Sequence, residues 1–259
     1  MNRALAALLA LCALAMPLVG RTQIVGTQIP SMPDSGSVEL DRGSFQIYQA
    51  DQLLGTEVFS FVGNGDSLLV TSRTFQVLPS GDTLRKDVAQ VVGLYDYGLR
   101  SYLSKQRLAG HLLSRGLHLG DTTVTSARQF DERGEVDELV LPPGRVFVVD
   151  PKMFVSFDLI CRSLNGKTFE RRPIVLFVMG PRDTMIQAMA TDLGSETIRW
   201  GARPIQARKL EIGDERTKFI AWAAPGGKLL RLSETTSGLR VERQPAAVRS
   251  RASRPKPGG

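Results

Sequence analysis

The chain has 259 residues, of which 42% are hydrophobic and 23% charged; these ordinary proportions exclude disorder throughout and allow one large domain. The formal net charge is +7, but Arg3 supplies one positive charge and the last fifteen residues supply four, so only +2 remains between them. A nearly neutral body argues against a nucleic-acid-binding surface.

Residues 1–20 have the features of a secretory signal peptide. Arg3 gives a basic start, an apolar run follows from Ala4 to Ala15, and Pro17 and Gly20 come next. The run is too short to anchor the chain across a bilayer. Cleavage could follow Ala15 or lie nearer Gly20. We therefore expect a secreted or periplasmic protein.

Residues 21–37 contain proline, serine and threonine without a regular period and predict a linker into a single β-rich domain at 38–243. Two alternating runs, 44–50 and 56–62, predict its opening hairpin with a turn between them. The alternation places three residues of the second run on one face: Glu57, Phe59 and Phe61.

Turn signals divide most of the remaining domain into further strands. The segment 83–119 fits both periodicities in part, and its four interior glycines favour strands over a helix. The other predicted strands are 68–78, 122–130, 135–141, 146–149, 173–179, 184–190, 196–200, 205–212, 218–223, 228–234 and 239–241. Short connections between consecutive strands predict a large antiparallel meander, either a half-barrel or a closed barrel.

One helix is predicted at 151–164. Asp150 is suited to the N-cap, Pro151 to the first helical position, and Asn165-Gly166 to a left-handed stop. One apolar stripe with helical spacing runs through the segment: Met153, Phe154, Phe157, Ile160, Cys161 and Leu164. We expect this stripe to pack on the sheet, with Cys161 as a buried structural thiol.

The last segment, 244–259, is predicted to be a disordered basic tail because it consists mainly of proline, alanine, serine, arginine and glycine. Such a tail could contact an anionic envelope surface through lipid headgroups or cell-wall polymers. The alternative is a solvated terminus without a partner. No nucleic-acid partner is expected.

Several motifs resemble exported bacterial proteins grouped as domains of unknown function. They are Gly43-Ser44-Phe45-Gln46-Ile47-Tyr48, Leu54-Gly55-Thr56-Glu57-Val58-Phe59, Leu139-Val140-Leu141-Pro142, Asp150, and Trp222 with Pro225-Gly226-Gly227-Lys228-Leu229-Leu230-Arg231-Leu232. The resemblance covers about 40–243. It implies a curved antiparallel half-barrel like those of periplasmic lipoprotein carriers, with an apolar groove lidded by helices. It transfers no catalytic residue.

Catalytic signatures are few. The sequence has no glycine-rich phosphate loop and no Gly-x-Ser-x-Gly nucleophile elbow. His111 and His118 would lie on opposite faces of a strand, so we predict no metal site and no cofactor. An unrecognised hydrolase using carboxylates such as Glu57 and Asp121 remains an alternative.

The hypothesis of apolar binding follows from a comparison of the length of the helix with the width of the sheet. A helix of about 14 residues is about 21 Å long and cannot cover ten or more strands spaced about 4.8 Å apart. Either the sheet closes on itself or apolar surface stays open for a ligand. The leading hypothesis is an exported, non-enzymatic protein that binds an apolar or lipid-like ligand through Phe59, Phe61, Phe154 and Phe157. The alternative from another class is a structural or protein-interaction module of the cell envelope.

Overall fold

The computed structural model describes residues 36–78 and 80–245. The predicted signal peptide at 1–20, the linker up to residue 35 and the basic tail from residue 246 lie outside the described residues. The first strand begins at Val38 and the last ends at Arg243.

The described chain forms fifteen strands and one α-helix. In chain order they are β1 Val38–Gln49, β2 Gln52–Asn64, β3 Ser67–Val77, β4 Thr83–Gly93, β5 Leu99–Leu108, β6 His111–Leu119, β7 Thr123–Phe130, β8 Arg133–Val140, β9 Val146–Val149, α1 Val155–Leu164, β10 Arg171–Val178, β11 Thr184–Trp200, β12 Arg203–Gly213, β13 Lys218–Ala223, β14 Leu229–Glu234 and β15 Leu239–Arg243.

The predicted fold class is confirmed: one large, mainly antiparallel sheet carries one packed helix, and the sheet is not closed. Its strand order is β8-β7-β6-β5-β4-β3-β2-β1-β15-β14-β13-β12-β11-β10-β9. Two meanders, β1 to β8 and β9 to β15, are therefore joined where β1 pairs with β15. Alternating side chains build the inner face, because every second residue along a strand such as β3 is buried.

One strand pair departs from the predicted antiparallel meander. The helix lies between β9 and β10 in the chain, and this crossover makes the two strands parallel. β8 and β9 lie at opposite edges of the sheet, yet only residues 141–145 connect them. A fully extended connection of this length spans roughly 22 Å at most. The sheet must therefore curl until its two edges approach each other.

Polar contacts bridge the two meanders near the open edges. In the β10–β11 connection, Asp183 accepts hydrogen bonds from Arg115 Nη1 at 2.9 Å and from Ser126 Oγ at 2.7 Å. Arg128 donates to the Pro181 carbonyl in the same connection. Side chains of β6 and β7 thus contact the meander formed by β9 to β15. No backbone hydrogen-bond ladder between described residues joins these two strands to that meander.

The helix lies inside the curled sheet. Nine of its ten residues are buried, and only Arg162 is partly exposed. The Phe157 ring packs against Phe219 of β13 with their centroids 4.6 Å apart. The predicted single stripe is therefore too narrow, since Ser156, on the side opposite the stripe, is also buried. A flat sheet would have left that side exposed, whereas a curled sheet surrounds it.

The predicted start of the helix is wrong by one turn. Residues 151 and 152 form a turn, and Lys152 has a positive φ of 69°, which interrupts a right-handed helix. The helix begins at Val155, with Phe154 at the N-cap and Asp150 engaged elsewhere. At the other end Gly166 has a φ of 69°, as the predicted left-handed stop requires.

Two further features concern a long strand and a connection that lies against the helix. The two strands predicted at 184–190 and 196–200 form one long strand, β11, with an irregularity between Asp192 and Ser195 in place of a turn. Gly227, in the β13–β14 connection, has a φ of 81°, and an added Cβ would lie 2.8 Å from Arg162 Cα. This close approach is possible because glycine has no side chain.

Candidate ligand cavity and the polar contacts at the helix start

A cavity of about 1130 Å³ lies at one end of the curled sheet, beside the start of the helix. The β1–β2, β3–β4, β12–β13 and β14–β15 connections meet at this end, together with the segment 150–154 that leads into α1. Exposed residues such as Leu53, Lys152 and Thr217 are among those lining it, so they mark its mouth. The volume is slightly above the usual range of small-molecule pockets.

The walls are largely apolar. The sheet contributes Ile47, Leu54, Leu176, Val178, Ile186, Phe219 and Leu239, and the helix start contributes Met153, Phe154 and Phe157. These side chains come from strands of both meanders, and only the curl of the sheet brings them around one space. The cavity is therefore suited to an apolar molecule.

Glu57 of β2 holds the start of the helix. Its carboxylate is fully buried and accepts hydrogen bonds from the backbone N–H groups of Phe154 at 2.7 Å and Val155 at 3.1 Å. Ser72 Oγ donates a third bond at 2.6 Å. The carboxylate takes the place of an N-cap side chain, since the first N–H groups of a helix have no partner within it.

Burial raises the pKa of Glu57 to about 7, while the bonds from Ser72, Phe154 and Val155 oppose this rise. The negative charge of Asp150 raises the pKa further. Among residues 36–78 and 80–245 the carboxylate has no cationic partner, so the helix start depends on a buried group that can be protonated near neutral pH.

Asp150 lines the cavity and does not cap the helix. Its two carboxylate oxygens accept hydrogen bonds from Lys86 Nζ and Tyr102 Oη, and all three side chains are buried. Burial lowers the pKa of Lys86, and the charge of Asp150 opposes that change. Burial and the same negative charge raise the pKa of Tyr102 well above its usual value. Lys86 and Asp150 therefore neutralise each other beside the cavity, and the uncharged Tyr102 donates to the same carboxylate.

A second ionic cluster holds the remainder of the helix. Arg162 bonds Asp158 at 2.8 Å and also pairs with Asp41 of β1. Arg243 of β15 contacts Asp41 at 2.7 Å and Asp158 at 3.5 Å, and Lys228 lies 3.1 Å from Asp41. Burial raises the pKa of Asp158 despite the arginines. The cluster ties α1 to the point where the two meanders meet.

The four predicted ligand-binding residues separate into two pairs. Phe154 and Phe157 line the cavity. Phe59 and Phe61 are buried but do not line it; the guanidinium of Arg243 lies over the Phe59 ring and that of Arg162 over the Phe61 ring. Alternation correctly placed Glu57, Phe59 and Phe61 on one inner face. It carries no information about the position along the strand at which a cavity begins.

Three polar residues near the cavity were not singled out from the sequence: Gln76, Lys86 and Tyr102. Lys86 occupies an inward position of β4 between the buried residues Leu84 and Val88. A lysine in such a position is a signal of a buried acidic partner, because an unpaired buried charge is costly. Gln76 is also buried and donates to the Lys152 carbonyl at 3.1 Å.

The residues considered for other chemistry lie apart from the cavity. His111 bonds Asp131 at the surface, Asp121 is exposed, and burial raises the pKa of the Cys161 thiol. Within 36–78 and 80–245, no group of three or more histidine, cysteine, aspartate or glutamate side chains is arranged to hold a metal ion. The one helix in this part of the chain is too short to cross a membrane.

The fold resembles a solved structure. A beta-barrel-like protein of domain of unknown function DUF1849 from Brucella abortus superposes with a TM-score of 0.53 and 8% sequence identity, covering 78% of this chain and 94% of that chain. This likeness confirms the coarse part of the sequence resemblance, a β-barrel-like domain of unknown function. No protein-family model and no curated protein sequence matches the chain.

Proposed function

We propose that the protein is a non-enzymatic carrier that holds an apolar or lipid-like molecule in the cavity beside the helix start. The observation that supports this proposal is the apolar space of about 1130 Å³ between the curled sheet and residues 153–157. An apolar cavity of about 150 Å³ is enough to bind benzene, so this space is about seven times larger. It offers room for a long acyl chain.

The polar residues around the cavity support a binding role more than a catalytic one. The oxygens of Glu57 accept three hydrogen bonds, and those of Asp150 are occupied by Lys86 and Tyr102. A general acid or base must reach a substrate proton. Glu57 and the exposed Asp121 therefore make a poor pair for the hydrolase considered above.

The test is to fill the cavity. Val178 lines it, and Val178→Trp should weaken binding of the neutral apolar probe phenylnaphthylamine, because the indole takes up part of the space. Val140→Trp is the matched control, since Val140 is 81% exposed on β8. Fluorescence titration measures the affinity, and thermal unfolding checks that both variants are folded. Equal affinities for the two variants, or no binding by the unaltered protein, would contradict the proposal.

The second candidate is the protein-interaction module, and the exposed strand β8 favours it. Seven of its eight residues are exposed, and it forms an edge of the sheet, so one side of its backbone has no neighbouring strand in the part of the chain that the structure describes. Such an edge can pair with an extended segment of another protein. Failure of the unaltered protein to bind apolar probes would favour the protein-interaction module over the carrier.

We also propose that the carrier acts outside the cytoplasm. The basic start and apolar run of residues 1–20 support export. N-terminal sequencing of the protein from fractionated cells checks this, and a cytosolic product that retains Met1 would contradict it. The basic residues of 244–259 are proposed to contact anionic envelope surfaces.

A further inference from the structure

We infer that the ligand is an amphiphile with an anionic group, and that this group pairs with Lys152 at the mouth of the cavity. The inference rests on the proposed function and adds the chemical class of the ligand. It depends on how the charged residues around the mouth are already bonded.

Lys152 is held at the mouth by its backbone. Gln76 of β3, which is buried, donates to the Lys152 carbonyl, and Met153 N–H bonds the Asp150 carbonyl to close a turn. The turn keeps Lys152 at a φ of 69°, a conformation that non-glycine residues rarely adopt. The exposed side chain therefore projects from a fixed backbone position among the cavity-lining residues.

The acidic residues that line the cavity are already bonded. Asp150 is engaged by Lys86 and Tyr102, and Asp214 accepts from two backbone N–H groups of its own turn. Glu234 accepts from the hydroxyl groups of Thr236 and Ser237. Lys152 Nζ, in contrast, makes no hydrogen bond or ion pair with any residue in 36–78 or 80–245. Among the charged side chains that line the cavity, Lys152 is the one that makes neither a hydrogen bond nor an ion pair within this part of the chain.

Lys152 and Glu234 also lie on different parts of the cavity wall. Lys152 is fixed to β3 through Gln76, whereas Glu234 ends β14, and three strands lie between β3 and β14 in the sheet. Four strand spacings correspond to roughly 19 Å along the wall. Lys86 and Lys152 are near enough for their charges to repel, and Asp150 neutralises only one of them. This side of the mouth therefore favours an anion.

An apolar interior with one unpaired cation at its entrance is suited to a long-chain carboxylate or a related anionic lipid. The chain would lie against Phe154, Phe157 and Leu176, and the anion would remain near solvent beside Lys152. Pairing with a partly exposed ammonium should add about fivefold to the affinity, because water and salt weaken such contacts.

The experiment compares three sixteen-carbon amphiphiles that differ only in the head group: palmitate, hexadecanol and hexadecylamine. Each displaces phenylnaphthylamine from the full-length protein, at concentrations below those at which it aggregates or precipitates, and at low salt. We expect palmitate to bind about fivefold more tightly than hexadecanol, and Lys152→Gln to remove this preference without changing the affinity for hexadecanol or the probe. Lys105→Gln, which alters a lysine that does not line the cavity, should preserve the preference.

The outcomes separate the two proposals. If hexadecanol or hexadecylamine binds as tightly as palmitate, the inferred anionic group is wrong. If Lys152→Gln keeps the preference for palmitate, the inferred pairing with Lys152 is wrong. The apolar carrier stands in both cases. If none of the three amphiphiles and no probe binds, the proposed function and this inference both fail.

Discussion

Asp150 and Glu57 are two buried acids near the start of the helix, and they have different roles. The sequence predicts a contact with the helix start only for Asp150. Asp150 stands four residues before Phe154 in the chain, and its position predicted an N-cap. In the folded protein its oxygens bond Lys86 and Tyr102, and Glu57 supplies the carboxylate at the helix start from β2. A local sequence pattern can identify a residue that is suited to cap a helix. It cannot show that a residue distant in the chain, such as Glu57, accepts hydrogen bonds from the same N–H groups instead.

Glu57 makes stability depend on pH. Its pKa rises from 4.5 in the unfolded chain to about 7 in the folded protein, so the folded protein binds the extra proton between these values. The unfolding free energy should therefore fall by ~3 kcal/mol as the pH rises from about 4.5 to above 7. Glu57→Gln should remove this part of the dependence.

Urea unfolding of both proteins at pH 5 and pH 8 measures the difference. The buried Asp158, whose raised pKa acts in the same direction, is present in both proteins and cancels in the comparison. An unchanged pH dependence in the glutamine variant would show that Glu57 is not the titrating group.

At the scale of the element, the helix is stabilised by its surroundings on every side. Its ten residues are few for an isolated helix, and such short helices are marginal in water without tertiary packing. The sheet supplies apolar contacts around it, Glu57 supplies the missing cap, and Gly227 allows close approach at its last turn. The helix and the curl of the sheet therefore depend on each other.

Phe157→Ala should destabilise the protein by about 3–5 kcal/mol, because the ring is 1% exposed and packs against Phe219. Val58→Ala, an apolar truncation at a position of β2 that is 50% exposed, should change stability by less than about 0.5 kcal/mol. Denaturant midpoints compare the two variants. Similar losses in both would mean that burial of the helix contributes little to the fold.

At the scale of the whole molecule, the gap between the sheet edges is bridged by side chains. Asp183 receives bonds from Arg115 and Ser126, so one carboxylate connects the β10–β11 connection to β6 and β7. The backbone ladder cannot serve this purpose, because β8 and β9 do not pair. These contacts hold the two meanders around the helix and the cavity.

Asp183→Ala should lower the unfolding free energy by about 1–3 kcal/mol, since it leaves Arg115, which is mostly buried, without its carboxylate. The exposed Asp82, whose side chain accepts a hydrogen bond from Ser80 in the β3–β4 turn, provides the control Asp82→Ala, with an expected loss near or below about 0.5 kcal/mol. Urea unfolding measures both. Equal losses would indicate that the bridge does not stabilise the curl.

Much of the fold could be predicted because strand and helix periods are local. The alternation in β2 correctly placed Glu57, Phe59 and Phe61 on the inner face, and Gly166 correctly marked the end of the helix. The one predicted helix lies in the right segment, between the parallel strands β9 and β10. Each of these predictions depends on residues within about a dozen positions of one another.

The amino-acid sequence by itself determined the strands, the single helix and the inner face of the sheet, because side-chain periodicity and turn chemistry act over short distances along the chain. Only the tertiary structure decided which acid caps the helix, since Glu57 and Val155 are 98 residues apart. It also decided that the sheet curls around the helix without closing, and that Phe154 and Phe157 face a cavity while Phe59 and Phe61 lie under arginines. These properties depend on contacts between distant segments, and such contacts leave no local period in the sequence.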